Sequence, residues 1–219
     1  MKKILFYIDH EWSLGSIHIE LVKEFYLCGI NSHILSTWNQ YTAEEIFEII
    51  ECYDYIYTTP IGYSNLNVLT QFRIPKDRFI VVAHATVDLK LWINNFGHND
   101  CNCVHSFGVV SEFLKQKSIE YGMTRVPKVC TLGVNFDKFY SSPRTSLNTI
   151  GYGSTYWERN TIPEELKNDP CSFKRSYLAK EISQIVGLNF TVAQKYHRSF
   201  ATMPGYYRKI DALIMSSSE

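Results

Sequence analysis

Short, unbroken apolar runs alternate along this chain with segments whose apolar residues recur at helical spacing, and that alternation limits the fold more than any other feature. Residues 4–8 (Ile-Leu-Phe-Tyr-Ile), 55–58 (Tyr-Ile-Tyr-Thr) and 79–83 (Phe-Ile-Val-Val-Ala) lack the polar alternation of a strand with one wet face. Such runs predict strands buried on both faces. Ile17, Leu21, Val22 and Phe25 are spaced as one face of a helix that ends near Gly29. Further strands are predicted at 32–36, 104–110 and 128–131, and helices at 43–51, 64–72 and 112–121. Strands alternating with helices predict an α/β fold with mostly parallel sheets. In such sheets ligands sit beyond the carboxyl ends of the strands.

The pattern pauses at Ser141-Ser142-Pro143-Arg144, which reads as a linker. A new strand at 148–152 opens a second unit, followed by a helix at 174–186, a strand at 189–192, a short helix at 204–209 and a strand at 212–215. Two domains are expected, 1–144 and 145–219. A parallel strand ordinarily leads into a helix that covers the sheet. The last strand here is followed only by Ser216-Ser217-Ser218-Glu219, so the second domain is expected to be incomplete.

Charge narrows the partners. Basic and acidic side chains are equal in number, 22 each, which disfavours a surface built to neutralise nucleic-acid phosphates or to coat an anionic membrane. No nucleic-acid partner is expected, and peripheral membrane contact at most. No apolar run approaches the ~20 residues that span a bilayer. The apolar stretch after Lys2-Lys3 is cut by Asp9, His10 and Glu11, too early for a signal peptide. Six scattered cysteines without such a signal fit reduced thiols and a cytoplasmic protein.

Four segments carry chemistry. Ser111 stands at a strand-to-helix junction as a cap, and Leu132-Gly133-Val134-Asn135-Phe136 follows a later strand, with Gly133 allowing a tight exit. His84 directly follows the run 79–83, where an imidazole can bond a hydroxyl or move a proton near neutral pH. Gly15 and Ser16 lie where the first helix begins, so that backbone N–H groups can approach an anion. The tail from Met203-Pro204-Gly205-Tyr206-Tyr207-Arg208 through Asp211 to Ser217-Ser218-Glu219 ends on a carboxylate able to accept strong hydrogen bonds from hydroxyls.

In this order and spacing the segments resemble the retaining glycosyltransferases of the twin Rossmann-like (GT-B) plan, the group 1, family 4-like enzymes. The likeness covers nearly the whole chain and is strongest over 79–140 and 203–219. It implies two Rossmann-like domains, an acceptor-side first domain and a nucleotide-sugar-binding second one. It implies transfer of a sugar from a nucleotide diphosphate sugar to a carbohydrate, lipid-linked or other acceptor, with retention. His84 would contact the donor sugar, and Glu219 would open the family's paired-carboxylate motif. Gly15 and Ser16 would border the acceptor, and the stretch around Ser154 would meet the donor. Two departures stand out. Asn135 replaces the family's usual Asp. The Gly-Arg and Lys that normally face the diphosphate are blurred, leaving Arg159 with Lys174 or Arg175 to serve.

No cofactor or metal is expected. There is no Asp-x-Asp, and Cys101 and Cys103 are separated by one residue, too close for the usual zinc pairing that His98 and His105 would complete; His105 is expected inside a buried strand. Two alternatives stand beside the transferase: a non-catalytic, truncated remnant or scaffold of such an enzyme, and a sugar-nucleotide epimerase on the same plan, for which no catalytic carboxylates are evident.

Overall fold

A computed structural model describes residues 2–9, 13–37, 39–133, 136–139, 143–153, 156, 158, 161, 176–193 and 203–214. The chain divides into two compact units, Met1–Gly133 and Val134–Glu219.

The first unit runs β1 (Lys3–Ile8), α1 (Ser13–Leu27), β2 (Asn31–Ser36), α2 (Ala43–Glu51), β3 (Tyr55–Thr58), α3 (Pro60–Leu69), β4 (Phe79–Ala83), α4 (Thr86–Phe96), β5 (Ser106–Val109), α5 (Glu112–Glu120) and β6 (Lys128–Val129). Its six strands form one parallel sheet in the order β2-β1-β3-β4-β5-β6. From β1 the chain steps outward to β2, then crosses back over β1 to β3 and continues the other way. Right-handed crossovers place connections of opposite direction on opposite faces. α1 accordingly packs Leu21, Val22 and Phe25 on one face, against Ile4, Phe6, Ile8, Tyr57 and Val82. The other face is covered by Ile46 and Ile50 of α2, Tyr63 and Leu66 of α3, Leu89 and Trp92 of α4 and Leu114 of α5. β1 therefore buries Leu5 and Tyr7 on one side and Phe6 and Ile8 on the other, which is why its sequence is continuously apolar.

The second unit runs β7 (Thr149–Tyr152), α6 (Ser176–Ile185), β8 (Asn189–Val192), α7 (Met203–Tyr207) and β9 (Ala212–Ile214). Its three parallel strands lie in the order β8-β7-β9. The first strand of each unit is thus flanked by that unit's second and third. The fold is α/β with parallel sheets of the Rossmann-like kind. Gly151 makes the close approach of α7 possible: a Cβ there would stand 2.5 Å from Ile210 Cδ1 and 2.6 Å from the Tyr206 hydroxyl. That hydroxyl donates to the Tyr152 carbonyl at 3.0 Å.

Several sequence expectations shift. The helix expected over 64–72 starts at Pro60, because Thr59 caps it through the Gly62 N–H (3.2 Å) and Pro60 takes the first helical position. It ends before Gln71 and Phe72, both at positive φ. α4 has no counterpart among the sequence expectations; its buried stripe is narrow, with only Leu89 and Trp92 fully enclosed. His105 is exposed ahead of β5 and lies against the Tyr55 ring at 4.5 Å, rather than inside a buried strand. Gly133 has open space at its Cβ position and no positive φ, so no turn there depends on glycine. Arg144, placed in a linker by sequence, is anchored within the second unit. Its guanidinium donates to the Tyr207 and Arg208 carbonyls and lies 3.6 Å from Asp211. Asp211 in turn accepts the Asn148 and Thr149 N–H groups, both at 2.9 Å, and these bonds hold its carboxyl below the usual range.

Candidate functional site

Parallel pairing aligns every strand of the first unit, so the helices that follow all begin at one edge of the sheet. α2 is capped by Thr42, with Glu45 reaching back to close a capping box. α3 is capped by Thr59 and α5 by Ser111, whose Oγ accepts the Leu114 N–H at 3.2 Å. The outward step from β1 and the return to β3 make the β1–β3 boundary the topological switch point, where such sheets open a crevice.

His84 emerges from β4 at this edge. Its backbone N–H donates to Asp88 Oδ2 at 2.7 Å, and the Ala85 N–H donates to the same oxygen at 3.1 Å. Asp88, at the third position of α4, thus clamps the turn that carries His84. The ring nitrogens are left over. Nδ1 and Nε2 of His84 are both buried and have no hydrogen-bond partner among the described residues.

A second imidazole meets it. His18 sits on α1 and is 1% exposed. Its ring lies edge-on to His84, with centroids 5.3 Å apart and planes at 80°, and edge-on to Tyr57 at 5.5 Å. Both His18 nitrogens are likewise buried and unpartnered. Loss of solvation, reinforced by the neighbouring His84 and opposed by Asp9, lowers the His18 pKa to about 4. Burial also lowers His84, against the pull of Asp88. Near pH 7 each ring is neutral and offers one donor and one acceptor, the complement of a hydroxyl group.

Gly15 is buried in the first turn of α1, one turn before His18. Ser16 follows it in the helix, with its side chain outside the described residues. The structure therefore brings Gly15 and His84 to the same edge of one sheet. Ser154, Arg159, Lys174, Arg175 and Glu219 lie outside the described residues.

His18 was not among the sequence candidates, yet it left a signal. It falls three, four and seven residues before Leu21, Val22 and Phe25, so it belongs to the stripe that α1 buries. A histidine in a core-facing stripe must be satisfied or used.

No group of three or more His, Cys, Asp or Glu among the described residues could hold a metal ion. Cys101 is buried with its thiol on the His98 carbonyl, 3.4 Å away, and Cys28, Cys52, Cys101, Cys103 and Cys130 are free thiols. Among the described residues no helix is long and apolar enough to cross a membrane. No protein-family model and no curated protein matches the chain.

Proposed function

We propose that this chain is a retaining glycosyltransferase that moves a sugar from a nucleotide diphosphate sugar to a carbohydrate, lipid-linked or other acceptor, in the cytoplasm. The observation that carries the proposal is His84: an imidazole at the carboxyl end of a central parallel strand, its turn clamped by Asp88, its ring nitrogens unpartnered. A neutral imidazole held this way is suited to a sugar hydroxyl. The ordered segments around Ser111, Gly133 and Met203 give independent support, as does the repeat of the same three-strand order in the second unit.

In this scheme His84 contacts the donor sugar, while Gly15 and Ser16 border the acceptor at the start of α1. The second unit supplies the donor contacts. Arg159 with Lys174 or Arg175 offsets the charge that develops on the departing diphosphate. Ser154 contributes to donor binding, and Glu219 accepts hydrogen bonds from sugar hydroxyls. Protein cations and helix N-termini carry the leaving-group charge, so the scheme requires no metal.

The test is a panel of nucleotide diphosphate sugars, each assayed with the full chain for hydrolysis and for an upward shift in Tm. At least one donor is expected to raise Tm and to be slowly hydrolysed. A panel with no response in either assay overturns the transferase assignment.

A further inference from the structure

The two imidazoles at the carboxyl edge of the first sheet have four nitrogens without partners among the described residues. Each buried, unsatisfied polar group destabilises the fold. A phenylalanine at position 18 would keep the edge contacts to Tyr57 and His84 and remove that cost. What phenylalanine cannot do is exchange a hydrogen bond with the neighbouring ring.

Geometry allows that exchange. Imidazole nitrogens lie roughly 1.2 Å from the ring centre, so rings 5.3 Å apart can bring two nitrogens to about 3 Å, a hydrogen-bond length. Rotation about each Cβ–Cγ bond changes which ring edge faces the neighbour, and that torsion is soft in histidine. We propose that His18 is a positioning residue for His84: the two neutral rings share one hydrogen bond, in which His84 donates its N–H to a nitrogen of His18, and the bond strengthens when His84 takes a proton. The ring plane of His84 is thereby fixed and its other nitrogen is left as an acceptor for the site. The inference rests on the role given to His84 under the transferase proposal.

The surroundings decide which ring carries the proton. His84 is half-buried as a residue and His18 almost wholly enclosed, so burial opposes a charge on His18 more strongly. Asp88, on α4, favours a charge on His84. Asp9, at the end of β1, favours one on His18, and this pull is outweighed by desolvation and by His84 itself. Tyr57, on β3, is pushed far up by burial, with Cys130 beyond it adding to the effect, so its hydroxyl stays neutral. One proton on the pair thus resides on His84, and repulsion keeps a second off His18.

Imidazole NMR of the full chain tests the pairing, with the seven histidines assigned by substitution and titrated from neutral to acid pH. In wild type, His84 is expected to protonate first and His18 to stay neutral until about pH 4. In His84→Phe the His18 midpoint is expected to rise by about one pH unit, because the neighbouring charge is gone. In His18→Phe the His84 midpoint is expected to fall, because the charged ring has lost its acceptor. The apolar phenylalanine ring also lowers His84 by burial, so His18→Asn, which restores an acceptor, separates the two: pairing predicts a return of the His84 midpoint toward wild type, and a midpoint as low as in His18→Phe overturns the pairing. Midpoints that stay within about 0.3 of wild type in both variants, or a rise of His84 in His18→Phe, overturn the pairing.

Where a sugar donor is turned over, the acid limb of kcat/KM in His18→Phe is expected to move down with the His84 midpoint, and an unmoved limb overturns the positioning role. Absence of turnover in wild type defeats the transferase assignment and leaves the titration result standing, so the two failures are distinguishable.

Discussion

His18 holds a neutral imidazole where water is excluded, and the linkage between protons and folding makes that cost measurable. A folded pKa of about 4, below the ordinary 6.5, means that the unfolded chain binds a proton the folded chain refuses. The folded state therefore has its full stability above about pH 6.5 and loses it as pH falls toward 4. From those two values the loss is about 3 kcal/mol for this one group. His84 is lowered in the same direction, so the two must be separated by substitution. Urea unfolding of His18→Phe and wild type is expected to show an advantage for the variant that is constant above pH 6.5 and grows between pH 6.5 and 4. Parallel pH dependence in both proteins would mean that His18 is not held neutral. For His84→Ala the transferase proposal sets a different expectation: sugar transfer falls by roughly 100-fold or more while the far-ultraviolet spectrum and thermal transition are retained. Wild-type turnover in that variant would remove His84 from the chemistry.

At the scale of the element, the same sheet edge is maintained by close backbone approach. Gly62, in the first turn of α3, stands where a Cβ would lie 2.2 Å from Thr58 Oγ1, and that hydroxyl is already committed to the Tyr7 carbonyl at 2.7 Å. Neither neighbour can give way cheaply, because both are buried in the central strands. Gly62→Ala is expected to cost about 1–3 kcal/mol, whereas Gly133→Ala, with nothing near its Cβ position, should stay within about 0.5 kcal/mol of wild type. Equal urea midpoints for the two variants would show that α3 does not depend on this approach. These contrasts also mark what sequence could reveal. β3, β4, β8 and α2 match their expected bounds: two-sided burial leaves continuous apolar runs in β3 and β4, the part-buried β8 is a short Phe-Thr-Val run after Gly187, and α2 has its capping box. α3 was displaced because Thr59 and Pro60 start a helix before its apolar pattern begins. α4 went unread because two enclosed residues make a faint stripe. His84 was legible from its place after a strand. His18 was not, because only the fold shows that its stripe ends against another imidazole.

For the whole chain, the question is how much of the first unit's architecture is its own. Its reversal at β1 puts α1 on one face and α2 to α5 on the other, and both buried clusters are built from residues within Met1–Gly133. Trp92 lies at the centre of the larger cluster, wholly enclosed, with Tyr63, Phe96 and Phe107 rings about it at 4.9 to 5.0 Å. A domain that carries its own core and its own sheet can fold alone. Residues 1–133 expressed by themselves are therefore expected to unfold in one cooperative urea transition, with amides of β1, β3 and β4 among the slowest to exchange. Trp92→Ala in that fragment should cost about 3–5 kcal/mol, enough to abolish the transition in a unit of ordinary stability. A fragment whose central-strand amides exchange without protection would show that the sheet needs the remainder of the chain. In that event the pairing of His18 with His84 could not be treated as a property of the first unit, since the strands that bring the two rings together would not form there unaided.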